Sequence, residues 1–293
     1  LGYLALSSNT TADDNTAVGT SALTANTTGA NNTAVGRKAL LTNTTGASNT
    51  AVGTNSLLAN TTASYNTAVG DSAGYSNVTG VEMVAVGFQA LYASTATGNT
   101  GLGYKAGRLT TTADDCTFVG AFAGTVNTTG SNNTGVGRSA LLNNTTAAKN
   151  TAVGYNALAA VTTGGDNTAI GAEAGDGVTT GTNNICIGFQ AGAYSNGIIT
   201  TGVHNICIGS YSRTQGTSNA GIAIGYDVGG SAGTTTIGYG TADIRTTHGS
   251  TSWATVSDER YKKDITTSTA GLSVINELRP VTWNYKTLGE LPT

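Results

Sequence analysis

Apolar residues in this chain do not follow the 3.6- or 2-residue periods of ordinary helices and strands. They return in step with a glycine. An aliphatic residue followed by glycine recurs at Gly2, Gly19, Gly36, Gly53, Gly70, Gly87, Gly103, Gly120, Gly137, Gly154, Gly171 and Gly188, with every step 17 residues except one of 16. The series continues with altered spacing at Gly209, Gly225 and Gly238. The unit reads Asn-Thr-Ala-Val-Gly-x-x-Ala-Leu-x-x-x-Thr-Thr-Gly-x-x, and a fixed period of this length is the signature of a stacked repeat architecture. The residue before the glycine is always Leu, Val or Ile, and three residues after it stands Ala, with Ser56 the exception among the first twelve copies. The next position is only Leu or Gly: Leu6, Leu23, Leu40 and Leu57, then Gly74, Gly107 and Gly124.

Seventeen residues are too few for two packed helices, and the β-branched residues and glycines oppose helix. The pattern predicts an all-β chain, a parallel β-solenoid with one coil of about 17 residues per unit. Asn-Thr-Ala-Val is expected as one strand, the Ala-Leu region as a second, and Thr-Thr-Gly-x-x as the turn. Fourteen intervals at the inter-strand spacing give a rod roughly 65–70 Å long. The aliphatic column (Val18, Val35, Val52, Val69, Val86, Val153 and Ile170) is expected to stack as a thin inner core. Period-2 alternation then turns Ala17, Ala34, Ala51, Ala68 and Ala85 outward. A small-residue column on the outside suits close contact with another chain, and threefold symmetry would put three such columns around one axis of a homotrimer. The competing reading is that alanine merely tolerates exposure there.

Composition fits such a thin stack better than a conventional core. Charged residues are 10% and aromatics 6% of the chain, with 42 Gly and two Pro, against about 25% charge and about 7% Gly in average domains. A net charge of −3 without a Lys/Arg stripe excludes general attraction to nucleic acid. No run of 18 or more apolar residues predicts a membrane span. Cys116, Cys186 and Cys207 lack metal-ligand spacing and read as small buried residues. His204 and His248 are the only histidines, and the acidic pairs Asp13-Asp14 and Asp114-Asp115 fall in turns, so no metal and no cofactor is expected.

The Asn-x-Ala-Val/Ile-Gly-x-x-Ala unit, over about residues 1–240, resembles the head repeats of trimeric autotransporter adhesins, a resemblance that implies a β-roll associating as a trimer. The end of the chain resembles something else. Ser257-Asp258-Glu259-Arg260-Tyr261-Lys262-Lys263-Asp264-Ile265 is similar to the opening of the intramolecular chaperone (peptidase S74) of phage tail fibres and tailspikes. Leu272, Ile275 and Leu278 follow at helical spacing, then Arg279-Pro280-Val281. The resemblance implies an α+β chaperone that drives trimer assembly and is released by self-cleavage, with Ser257 as nucleophile, Lys262 as its base, and Asp258 and Arg260 in support. A serine hydroxyl needs such an adjacent base to attack. Ser257-Asp258 as a simple helix or turn cap is the competing reading.

The expected organisation is therefore a solenoid over 1–238, a neck over 239–256 and the N-terminal part of a chaperone over 257–293, the chain reading as a piece of something longer at both ends. The expected function is a structural fibre of a phage or phage-like particle, on the virion tail or an extracellular surface, and no enzyme beyond a single self-cleavage. Expected partners are two further copies, a host-surface receptor such as a glycan, and other fibre or tail proteins. A cell-surface trimeric adhesin is the alternative. A third reading, an ice-binding solenoid, rests on Thr27-Thr28, Thr44-Thr45, Thr61-Thr62 and Thr145-Thr146, with the column read as broken at Gly98 and Val126-Asn127. Tyr65, Tyr75, Phe88, Tyr92, Tyr104, Phe118 and Phe122 are set aside as either a sugar-stacking patch or packing between chains. Glu82, Glu173 and Asp176 offer no fixed pair of acids for glycoside cleavage.

Overall fold

The computed structural model describes residues 2–194, 198–214, 217–240, 242–252 and 254–255. Among them there is no helix, and none long and apolar enough to cross a membrane. Twelve three-residue strands, from β1 (Thr16–Val18) to β12 (Ile206–Ile208), occur one per coil. They continue with the two-residue β13 (Arg213–Thr214), β14 (Ile222–Tyr226), the two-residue β15 (Gly229–Gly230) and β16 (Thr234–Tyr239). All pair in parallel with the next coil in exact repeat register, as in Thr16↔Thr33, Ala17↔Ala34 and Val18↔Val35, with β13 and β15 forming a separate two-stranded sheet of their own. The chain is a parallel β-solenoid of about 13 turns. At its C-terminal end the sheet changes sense: β17 (Ala242–Thr247) turns back antiparallel on β16, and β18 (Ala254–Thr255) on β17. The stretch expected as a neck thus begins by extending the sheet. The chain divides after Val256, and the residues beyond lie outside those described.

The Ala-Leu segment is not a second strand. It holds two left-handed residues per coil, for example Ser21 (φ 58) and Leu23 (φ 50), with a third at the far corner, Asn31 (φ 61). This explains the restriction to Leu or Gly. The left-handed conformation costs an L-residue about 1–2 kcal/mol, while burying a leucine gains about 1.5–3 kcal/mol. Leucine therefore holds the position where its side chain has interior to fill (Leu23, Leu40 and Leu57 are fully buried), and glycine takes it where a neighbour fills that space.

Two asparagine ladders complete the interior. Asn49 donates from Nδ2 to the carbonyl of Ala63 (2.9 Å) and to Asn32 Oδ1 (3.1 Å), while its own Oδ1 accepts from the backbone N–H of Asn66 (3.0 Å). The same arrangement repeats through Asn150, Asn167, Asn184 and Asn205. The second ladder runs Asn9, Asn26, Asn43, Asn60, each amide donating to the Oδ1 before it at 2.7–3.0 Å. Buried main-chain groups that no strand satisfies are thus paired by side chains. Asn49→Ala should orphan the Asn66 N–H, at about 1–3 kcal/mol, and take from the Ala63 carbonyl one of its two donors, leaving Asn60. Denaturant unfolding is expected to show a loss of about 2–5 kcal/mol, against less than about 0.5 for the exposed Thr28→Ala; equal small losses would refute the ladder's role.

Candidate assembly face

The strand alternation is opposite in sense to the sequence expectation. Ala34, Ala51, Ala68 and Ala85 are fully buried within the single chain and Ala17 nearly so. Val18, Val69, Val153 and Ile170 are 36–45% exposed, with Val35, Val52 and Val86 half-buried. The alanines are the core and the aliphatic column is the surface. The physical reason is room. One coil already carries a leucine and a second alanine (Ala22, Ala39, Ala73, Ala90) pointing inward, so only a methyl fits opposite them, and period-2 alternation sends the valine out. Ala17, Ala34, Ala51, Ala68 and Ala85 are therefore unavailable to another chain, and the stripe that is available is aliphatic.

That stripe is the middle of the outward face of the sheet. Outward residues of each strand lie on either side of it: the threonine before the inner alanine, and the residue just after the glycine. The face is rich in rings in two regions. Phe88 and Tyr104 stack at 5.4 Å, with Phe122 edge-on to Tyr104 at 5.2 Å. Towards the C-terminus Tyr211 meets Phe189, Tyr194 and Tyr226, and Tyr226 stacks on Tyr239 at 5.1 Å. Tyr75 stacks on Tyr92 at 4.8 Å, with Arg108 over the Tyr92 ring. Rings stacked on their neighbours cover one another's faces and present edges, which weakens the sugar-stacking reading for them. Tyr65, 67% exposed, has no ring partner among the described residues. Phe118 does not belong to the surface group, because it lies fully buried in the inner alanine column.

The other candidate groups are accounted for by the stack. Cys116 replaces an asparagine of the first ladder, its Sγ donating to the Gly130 carbonyl at 3.2 Å, and burial raises its pKa. Cys186 and Cys207 replace inner alanines in register, both buried and unbridged, and the Cys186 thiol is held well above its usual range by its hydrogen bond to Cys207 and by burial. Asp13, Asp14, Asp114 and Asp115 are exposed, and among the described residues no three His, Cys, Asp or Glu side chains gather as a metal site. Burial, and after it Glu173, raises the Asp176 carboxyl, while Glu173 accepts a hydrogen bond from Gln190.

Threonines form two rows. In one, each hydroxyl donates to the next coil's carbonyl, as Thr27 to Thr44 (3.1 Å) and Thr128 to Thr145 (2.9 Å). The other row, with Thr28, Thr45, Thr62, Thr129 and Thr146, is exposed. Thr128-Thr129 keep the register, so the column is not broken at Val126-Asn127 as the sequence alone suggests, whereas the 16-residue coil at Thr95–Gly98 does interrupt it. The exposed row is one hydroxyl wide, and ice binding requires a two-dimensional array.

Ser257, Asp258, Arg260 and Lys262 lie outside the described residues. The family model described as the chaperone of endosialidase, peptidase S74, matches residues 257–291, the segment that follows the solenoid in the chain. No curated protein and no solved structure matched the chain. Fold and match together show a β-solenoid followed by a segment similar to the endosialidase chaperone, an arrangement that fits a fibre with an intramolecular chaperone.

Proposed function

We propose that the chain is the shaft or receptor-proximal part of a homotrimeric fibre of a phage or phage-like particle, used for host attachment and assembled with the help of its C-terminal self-cleaving chaperone. The match of residues 257–291 to the endosialidase chaperone carries the reading. The aliphatic stripe supports it independently. A face about 65 Å long and five residues, or about 13 Å, wide offers roughly 800 Å2 per chain, the size of a specific interface. Parallel copies about a threefold axis would bring the same stripe of each together and remove it from water. A cell-surface adhesin would use the same stripe but gives no role to the chaperone segment.

In this reading the Ser257 Oγ attacks the carbonyl of the peptide bond beside it, and Lys262 takes the hydroxyl proton and returns it to the nitrogen as the C–N bond breaks. Water hydrolyses the resulting ester, so that the chaperone leaves after a single turnover. Two measurements test the proposal. Sedimentation equilibrium of the chain should return three times its 29.1 kDa mass, and a stable monomer would overturn the fibre. Mass spectrometry of the full-length chain should find two pieces in the wild type and one in Ser257→Ala; cleavage persisting in the variant would remove Ser257 from the role.

A further inference from the structure

The outward face changes character along the rod. In the strands from β1 to Thr168–Ile170, the position before the inner alanine is threonine in every coil but the one holding Val84. In the next three coils it is Ile185, Ile206 and Ile222, and in the last it returns to threonine, Thr235. The residue after the glycine includes Arg37, Asp71 and Arg138 upstream beside Phe88, Tyr104 and Tyr155, whereas in the last four coils it is Phe189, Ser210, Tyr226 and Tyr239. The aliphatic column between them is isoleucine throughout, at Ile187, Ile208, Ile224 and Ile237. Phe189, Tyr226 and Tyr239 are 41%, 46% and 70% exposed in the single chain. Arg213 and Asp227 pair with each other beside these rings, a charged border to an uncharged field.

We infer that this isoleucine and aromatic field is the strong segment of the self-association surface, and that its occupants are two further copies of this chain. The inference rests on the trimeric reading above and locates its affinity. Three observations favour a copy over a foreign partner. The field is continuous with the aliphatic stripe, and in-register parallel copies place like against like, isoleucine against isoleucine. An apolar centre with a charged rim is the anatomy of a specific interface, and aromatic residues are enriched at such centres. The field is also the last part of the solenoid before the segment that matches an assembly chaperone. Upstream, the threonine column and the charges at Arg37, Asp71 and Arg138 interrupt the rings of Phe88, Tyr104 and Tyr155, so contact there follows from contact here.

The test compares two sets of three exchanges on the full chain. Ile185→Thr, Ile206→Thr and Ile222→Thr restore the residue that upstream coils carry, so the coil itself should fold with unchanged circular dichroism. Val18→Thr, Val35→Thr and Val52→Thr make a change of similar size on the same face far upstream. By sedimentation over a dilution series, the isoleucine set should raise the concentration at which the trimer dissociates at least a hundredfold, and the valine set less than tenfold. If the isoleucine set disturbs folding, Tyr226→Ser, which copies Ser210, should still weaken association more than the valine set. Equal effects, or a larger one upstream, overturn the inference and leave the trimer standing. A wild-type chain that is monomeric throughout overturns the trimeric reading instead.

Discussion

Gly53→Ala is expected to break the solenoid between its coils. Gly53 has φ +136, a conformation essentially reserved for glycine, and an added Cβ would sit 2.4 Å from the Gly70 carbonyl oxygen and 2.6 Å from its carbon. Neither side can yield easily. Gly53 donates to Val35 at 2.7 Å and Gly70 to Val52 at 2.7 Å, so the clash lies inside a ladder whose spacing is set by backbone hydrogen bonds. The conformation alone costs about 1–3 kcal/mol, and the overlap adds about as much again. In a stack whose stability is a sum of coil and neighbour terms, that loss falls on one interface. Thermal unfolding should start lower, and limited proteolysis should cut near Gly53. Gly233→Ala is the control: φ is +64, nothing lies within 4 Å of the added atom, and about 1–2 kcal/mol is expected. Equal effects of the two would mean that the close approach between coils does not limit the glycine column.

The repeat made the architecture readable because a stack imposes the same demand on every coil. Gly19, Gly36 and Gly53 fixed the register, and the structure pairs those columns residue for residue. The inside and outside of the coil were harder to read, because Ala17 and Val18 are both apolar and both recur. Hydrophobicity alone assigns the larger one to the core, as it does in sheets that cover a broad interior. Here the interior is only as wide as one leucine plus two methyls. The signal that separates the columns is volume compensation. Where the Leu column holds Gly74, Met83 has taken an asparagine's place and fills the gap, its Cε 2.5 Å from where a Cβ would stand. Where it holds Gly175 and Gly192, Cys186 replaces an inner alanine. The aliphatic column changes without any such response elsewhere, as a surface column does. The chaperone segment was legible for a different reason: its motif is local in the chain and does not depend on which way any side chain points.

Phe118→Ala carries this compensation to its clearest case and should cost about 3–5 kcal/mol, the range for emptying a buried aromatic site. Phe118 stands where other coils have an inner alanine, and the coils around it are hollowed to receive it. A Cβ at Gly124 would lie 2.2 Å from Phe118 Cε1, one at Gly107 2.9 Å from Cδ2, and one at Gly135 3.2 Å from Cδ1. Gly107 and Gly124 occupy the column that holds leucine in regular coils, with φ of +58 and +56, close to the +50 of Leu23. Gly124→Leu alone should therefore destabilise by overpacking, since the ring already fills its space. Combining the two, Phe118→Ala with Gly124→Leu, rebuilds the regular pattern of alanine opposite leucine and should recover more than half of the loss. Gly107 still leaves part of the volume empty, so recovery should be incomplete. Denaturant unfolding of the two single variants and the double variant forms a mutant cycle, and a coupling of at least about 2 kcal/mol is expected for residues that share one cavity. Additive losses would mean that the ring and the glycines are independent, and that the interior tolerates a void where the geometry shows close packing.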